Sequence, residues 1–271
     1  MHRPRANRSQ WLRPGRALFF ATVVALSTWL TAHASGLPSS DAISRLRSAQ
    51  VHDTAVMRER VGEAAGQQRE LAVRQSWVEL EQISKPAIAA VLASEDARFF
   101  AHGPLDLKEL DQAVHGALDE GKPLRGASTI TQQVAKNLFL GDERSLSRKA
   151  KEAYLAWRLE KDLPKRRILR LYLNVAEWGE GVFGIEAAAQ AHLGKHAADL
   201  SLAEGAALAA MLPNPHRFSP RQPALLRRRA AHVLDRCLDD HVATAEEIDA
   251  AGAELDRWLG PLSEESKQAE E

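Results

Sequence analysis

Apolar residues recur at helical spacing along most of the chain. Ser84 can cap one such segment, and a second, over 202–212, is rich in alanine and stops at a proline turn. Thr129 and Gln132 have the spacing of a capping box ahead of a further apolar stripe. Alternating patterns typical of strands are few. The sequence therefore predicts a mainly α fold with at most a small hairpin.

The first residues have the pattern of an export signal. Five arginines precede an apolar run over 17–30, and no acidic residue occurs before Asp41. Positive charge stays on the cytoplasmic side of a membrane, so this pattern directs the rest of the chain outward. The run is short for a spanning helix, which needs about 20 residues. The Ala-His-Ala at 32–34 resembles a cleavage site, so an anchor and a cleaved signal both stay open.

Shifts in composition divide the chain into four segments. Residues 1–36 are the signal or anchor, and 37–75 are a polar helical linker that we expect to be poorly buried. Residues 76–222 form the main domain, and 223–271 hold C-terminal helices and an acidic tail. We expect Ser147 to cap the helix that follows it.

Charge and cysteine content narrow the function classes. Net charge is zero, yet residues 144–170 hold ten basic side chains against three acids. Such a run is either a solvated helix face or a patch that faces phosphates. A single cysteine, Cys237, excludes an internal disulfide and a cysteine-built metal site. The G-x-G-x-x-G at 179–184 follows a helix rather than a buried strand, so it predicts a tight loop and not a dinucleotide site.

Four polar blocks carry the candidate chemistry. Adjacent carboxylates at the end of an apolar helix are costly unless they are solvated, paired or used. The second block places amides and a cation on one helix face, and the third places a carboxylate one turn from two cations. The candidate residues are Glu95, Asp96, Phe99 and His102; Gly126, Ser128, Thr129, Gln132, Gln133, Lys136 and Asn137; Arg148, Lys149 and Glu152; and Asn174.

In this order the blocks resemble the motifs of glycosyltransferase family 51. These peptidoglycan glycosyltransferases occur in class A penicillin-binding proteins and in monofunctional biosynthetic transglycosylases. The matching blocks read E-D-x-x-F-x-x-H, G-x-S-T-I-T-Q-Q, R-K-x-x-E and I-L-x-x-Y-L-N. No transpeptidase domain follows them, which resembles the monofunctional type. Two positions depart from the family pattern: Pro104 follows Gly103 where a glycine is usual, and Arg170 replaces a glutamate.

The resemblance implies a fold and a reaction. The fold would be a lysozyme-like helical head lobe with a smaller membrane-associated jaw lobe. The enzyme would polymerise lipid II and release undecaprenyl diphosphate, with inversion. Glu95 would be the general base, Glu152 a second catalytic group, and the other candidates substrate-binding. An alcohol is a poor nucleophile at neutral pH, which fits the need for a positioned base.

The resemblance also implies partners and a location, and it leaves alternatives. No cofactor is certain, although a divalent ion, Mg or Mn, could lie on the diphosphate near Glu152. Partners would be lipid II, the growing glycan strand, the membrane and cell-wall synthesis proteins, and no nucleic acid. The catalytic domain would lie on the outer face of the bacterial inner membrane, or be secreted. The alternatives are a lysozyme-like lytic enzyme and a catalytically idle scaffold.

Overall fold

The computed structural model describes residues 37–108, 111, 128–143 and 145–261. The chain divides into two units, Met1–Pro38 and Ser39–Glu271, and the helices and strands below belong to the second. The apolar run at 17–30, Gly126 of the second motif and the acidic tail lie outside the described residues. Among the residues that the structure describes, no helix is both long and apolar enough to cross a membrane.

Helices make up most of the described chain, which confirms the predicted mainly α class. Short 3₁₀ turns occur at Leu80–Gln82 and Ala197–Asp199, and a π-helical turn at Lys136–Leu140. The α-helices in the described part are α1 (Ser40–Arg45), α2 (Ala55–Gly66), α3 (Lys85–Glu95), α4 (Ile130–Ala135), α5 (Leu146–Asp162), α6 (Lys165–Val175), α7 (Ile185–Leu193), α8 (Leu202–Met211), α9 (Pro223–Asp239) and α10 (Ala245–Leu259).

One small sheet accompanies the helices. Its strands are β1 (Arg74–Gln75), β2 (Glu177–Gly179) and β3 (Val182–Phe183), in the order β1-β3-β2, with β3 parallel to β1 and antiparallel to β2. The glycine-rich motif forms this hairpin, as the loop interpretation predicted. Gly181 has φ +69°, and a Cβ there would lie 2.7 Å from the carbonyl oxygen of Ala72, so only glycine fits.

The core is centred on α8, whose residues are nearly all buried. This helix packs against α3 and α9. Gly205 permits the contact with α3, because a Cβ there would lie 2.6 Å from the Cα of Ala87. Helix axes come this close only where a small residue stands at the crossing. The close packing fixes the position of Glu95, the last residue of α3.

The stretch over 37–75 forms the helices α1 and α2, and most of its residues are exposed or half-buried, as the sequence predicted. Ile43, Val56 and Met57 are exceptions and are all at least 97% buried. One expectation from the sequence needs correction. The cap of α5 is Ser145, not Ser147, because Ser145 has the extended backbone of an N-cap and its side chain accepts from the amide of Arg148.

Candidate active site

Glu95 stands at the C-terminal end of α3, partly exposed at the wall of a cavity. Its Oε2 accepts a hydrogen bond from Nε2 of Gln133 at 2.8 Å, and its Oε1 accepts from Ser94 Oγ at 3.3 Å. Burial raises the pKa of Glu95, and the two hydrogen bonds oppose that rise. A carboxylate with a raised pKa is a stronger proton acceptor than an ordinary glutamate.

Asp96, the other member of the carboxylate pair, is 98% buried and braces the structure. Its Oδ2 accepts from the backbone N–H of Ile130 at 3.0 Å, and its Oδ1 lies 2.6 Å from His102 Nε2. A carboxylate at this place satisfies the start of α4 and favours its dipole. Phe99 is fully buried, with Lys165 Nζ 4.3 Å from its ring centroid. Asp96 thus joins α3 to α4. Neither of the cavities described below is lined by Asp96, Phe99 or His102.

The start of α4 is built as the sequence predicted. Thr129 Oγ1 accepts from the amide of Gln132, and Gln132 Oε1 accepts from the amide of Thr129, which completes the capping box. Both side chains are buried, so their place is structural. The hydroxyl of Thr129 also donates to the carbonyl oxygen of Pro104 at 2.7 Å. The unusual Pro104 is therefore held against the helix start that precedes Gln133.

Gln133 connects Glu95 to Tyr172. The hydroxyl of Tyr172 donates to Oε1 of Gln133 at 3.1 Å, so the amide nitrogen of Gln133 faces Glu95. Burial raises the pKa of Tyr172 well above its ordinary value, and the charges of Glu95 and Asp96 add to the rise. The phenol therefore stays protonated and remains a donor. The chain of bonds fixes the orientation of the Glu95 carboxylate.

A π-helical turn follows α4 and begins at Lys136. Its first two residues, Lys136 and Asn137, line a second cavity. π-Turns of this kind are frequent at functional sites. Lys136 Nζ lies 2.8 Å from Oδ1 of Asp142, and Arg60 pairs with the other oxygen of the same carboxylate. Burial opposes ionisation of Asp142, but Lys136 and Arg60 together hold its pKa below the ordinary value.

Glu152 on α5 is a buried carboxylate held by two cations. Its side chain is 3% exposed, with Arg148 Nη1 at 2.5 Å from Oε2 and Lys149 Nζ paired to Oε1. Lys149 also donates to Ser128 Oγ at 2.7 Å. Both oxygens of Glu152 are engaged, and among the described residues no group of three or more acids, histidines or cysteines is placed to hold a metal ion. Because a cation holds each oxygen of Glu152, the donor set at this position does not fit the expected Mg or Mn ion.

The candidate residues that face open space line two neighbouring cavities. Cavity A, of about 860 Å³, is lined by Glu95 and by residues of α9. Cavity B, of about 810 Å³, is lined by Lys136, Asn137, Arg148, Lys149 and Glu152. Ser128, Gln133 and Pro213 line both cavities, so the two meet at the amide that holds Glu95.

Asn174 lies away from both cavities. It is fully buried, accepts from the backbone N–H of Val78 at 2.8 Å and donates to the carbonyl oxygens of Val78 and Arg170. Arg170, the second departure from the family pattern, pairs with Glu79 in the same region. Both residues attach α6 to the segment before α3.

The basic residues that line cavity A were not among the candidates predicted from the sequence. Arg228, Arg229, His232 and Arg236 on α9 line it, together with Arg217. Arg236 Nη1 donates to the carbonyl oxygen of Ser94 at 2.7 Å. The charges of Arg229 and Arg236 lower the pKa of Glu95, against the effect of burial. The i, i+4, i+8 spacing of 228, 232 and 236 was the available signal, but α9 had been assigned to a separate C-terminal segment.

Known proteins resemble this chain over most of its length. The sequence model of the family described as Transglycosylase matches residues 62–238. The biosynthetic peptidoglycan transglycosylase of Rhodospirillum centenum is 50% identical over 161 residues, which cover 59% of this chain and 69% of that protein. The one from Thiobacillus denitrificans is 37% identical over 227 residues, covering 84% and 94%.

Among solved structures, penicillin-binding protein 1A from Haemophilus influenzae aligns with a TM-score of 0.41 at 24% identity, over 68% of this chain and 18% of that one. The family match and the nearly full-length relative confirm the enzyme class that the motifs predicted. The chain belongs to the transglycosylase family, as a glycosyltransferase related to the biosynthetic peptidoglycan transglycosylases.

Proposed function

We propose that this enzyme polymerises lipid II into peptidoglycan glycan strands. The 4-hydroxyl of one sugar attacks the anomeric carbon of another, a new C–O bond forms with inversion, and the bond to the lipid diphosphate breaks. The hydroxyl proton passes to Glu95, and undecaprenyl diphosphate leaves with the electron pair. The relatives named as biosynthetic peptidoglycan transglycosylases support this substrate class.

The observation that carries the proposal is the position of Glu95 where two cationic cavities meet. Its carboxylate is held by Gln133, which lines both cavities, and burial raises its pKa. A base must touch the hydroxyl that it activates and must bind a proton strongly enough to take it. A glutamate between two substrate compartments meets both needs.

Cavity B suits a diphosphate leaving group. Arg148, Lys149 and Lys136 line it, and charge that develops on the leaving oxygens is stabilised by fixed cations. Glu152 pairs with two of these cations, so its role in the proposal is to orient them. No step passes through a metal ion.

Cavity A suits the second substrate. Its arginines on α9 face Glu95, and guanidinium groups bind phosphate oxygens in bidentate fashion. We assign the donor to cavity B and the acceptor to cavity A, with the acceptor hydroxyl directed at Glu95. Asp96, His102, Thr129 and Asn174 then hold the frame and do not bind substrate directly.

An enzyme with a lipid-linked substrate must act at a membrane surface. The proposed location is the outer face of the inner membrane, in accord with the basic and apolar residues that precede Asp41. Growing glycan and cell-wall synthesis proteins are the proposed partners. Anchor and cleaved signal are distinguished by N-terminal sequencing of the exported protein.

A lytic activity is the second candidate, because a glutamate with a raised pKa also suits a general acid for glycan cleavage. The deciding experiment gives the purified protein fluorescent lipid II in detergent, and in parallel gives it finished glycan strands. We expect a ladder of lysozyme-sensitive polymer from lipid II and unchanged glycan strands. Shortened strands with no polymer would replace the polymerase by a lytic enzyme.

A further inference from the structure

Glu177 on β2 is a buried carboxylate that the family motifs do not include. Its side chain is 8% exposed and borders cavity B. Arg60 Nε donates to its Oε2 at 2.8 Å, while Oε1 is buried and has no hydrogen-bond donor among the described residues. A buried carboxylate oxygen without a donor costs free energy, so such an atom calls for a partner.

His216 makes an ion-pair contact with this oxygen. Its Nε2 lies 3.7 Å from Oε1 of Glu177, beyond hydrogen-bond length. His216 follows the Pro213-Asn214-Pro215 turn and is half exposed at the border of cavity B. An approach of roughly 0.8 Å would bring the two atoms to an ordinary hydrogen bond. The second ring nitrogen, Nδ1, would then be left for another partner.

The charges around cavity B indicate what that partner is. Lys136 and Arg60 share Asp142, and Arg148 and Lys149 share Glu152. Each of these four cations is therefore already paired with a carboxylate. His216 also lines cavity B, and its carboxylate contact is still open. An imidazolium that donates one N–H to a carboxylate presents its other N–H in a fixed direction.

We propose that His216, in its imidazolium form, donates a hydrogen bond from Nδ1 to an oxygen of the donor's diphosphate, and that Glu177 orients the ring by accepting from Nε2. His216 is then a substrate-binding residue and Glu177 a positioning residue. This inference rests on the proposed function, since it takes cavity B as the donor compartment.

The test measures binding to a lipid II whose 4-hydroxyl is blocked, so that it serves only as a donor. Fluorescence anisotropy in detergent compares the wild type with His216→Asn, Glu177→Gln and the double variant. Glu177→Gln keeps the shape and an oxygen for Arg60 but turns an N–H₂ toward His216. We expect each single variant to bind about tenfold more weakly, and the double variant no more weakly than either.

Controls separate binding from folding. His196→Asn removes a comparable pair, because His196 Nδ1 lies 2.8 Å from Glu186 Oε1 away from both cavities, and it should bind like the wild type. His216 is half exposed, so its replacement does not threaten the fold. Unchanged affinity in His216→Asn, or additive losses in the double variant, would overturn the inference.

A second arm identifies the contacted group. Undecaprenyl diphosphate replaces the blocked lipid II, and His216→Asn should weaken its binding by the same factor. A loss confined to the sugar-bearing ligand would place the contact on the sugar and contradict the assignment to diphosphate. Wild-type polymerisation of ordinary lipid II is measured beside it, so that failure of the proposed function is recognised separately.

Discussion

At the scale of single residues, three acidic side chains of the motifs differ in their interactions because their surroundings differ. Glu95 borders a cavity, and burial raises its pKa. Asp96 next to it is nine-tenths buried or more and is used entirely by His102 and the start of α4. Glu152 is equally buried, but two cations hold it as a carboxylate. The same type of side chain thus serves as the proposed base at Glu95, as a structural hydrogen-bond acceptor at Asp96 and as the partner of two cations at Glu152.

The bond from Tyr172 to Gln133 gives a prediction at this scale. Tyr172→Phe removes the donor that orients the Gln133 amide, so the amide can rotate and release Glu95. We expect kcat to fall by about tenfold and the free energy of unfolding to fall by about 1 kcal/mol. Tyr154→Phe is the matched control, because Tyr154 is 41% exposed on α5 and should change neither quantity.

Kinetics with labelled lipid II and urea denaturation of both variants decide this point. A Tyr172→Phe variant with wild-type kcat would show that Gln133 holds Glu95 without help from the phenol. Loss of stability without loss of kcat would have the same meaning for catalysis.

At the scale of elements, the crossing of α3 and α8 places Glu95. Gly205→Ala forces a methyl group against the Cα of Ala87, so the helices must separate. We expect a loss of about 1–3 kcal/mol in the free energy of unfolding. Gly62→Ala in α2 is the control, since no neighbouring atom lies within 4 Å of its added Cβ. A helical glycine replaced by alanine should gain about 0.5–1 kcal/mol.

Thermal and urea denaturation should show that the free energy of unfolding falls in Gly205→Ala and rises in Gly62→Ala. Equal stability of Gly205→Ala and the wild type would mean that α3 and α8 adjust freely. In that case the helix crossing would not be what fixes Glu95.

At the scale of the whole molecule, α9 contributes to the surroundings of Glu95 together with the motifs. Arg229 and Arg236 partly offset the rise that burial causes in the pKa of Glu95. The proposed base must be ionised to accept a proton, so we expect kcat/KM to rise with pH through that pKa. Arg236→Gln removes one positive charge and raises the pKa further, which moves the acid limb of the profile to higher pH.

The pH profile of kcat/KM checks this direction. Arg166→Gln is the control, because Arg166 is 71% exposed, pairs with Glu81 and lines neither cavity. An acid limb that stays in place in Arg236→Gln, or moves to lower pH, would contradict the account of the Glu95 environment.

Local signals in the sequence predicted much of the fold and several of the side chains that line the two cavities. The capping box of Thr129 and Gln132 and the cap at Ser84 are short-range features, and both form as predicted. The choice of Ser145 over Ser147 depends on backbone angles that composition does not encode. The arginine wall on α9, the open oxygen of Glu177 and the burial of Asn174 arise from contacts between distant segments, which periodicity cannot reveal.

The most direct test of the central claim measures initial rates of lipid II polymerisation by Glu95→Gln. Glu81→Gln is the matched control, because Glu81 is 69% exposed and lines neither cavity. We predict a loss of at least about 100-fold in kcat for Glu95→Gln, a wild-type rate for the control, and an intact fold in both by circular dichroism. A Glu95→Gln enzyme that polymerises within a few-fold of the wild type would contradict the assignment of Glu95 as the base.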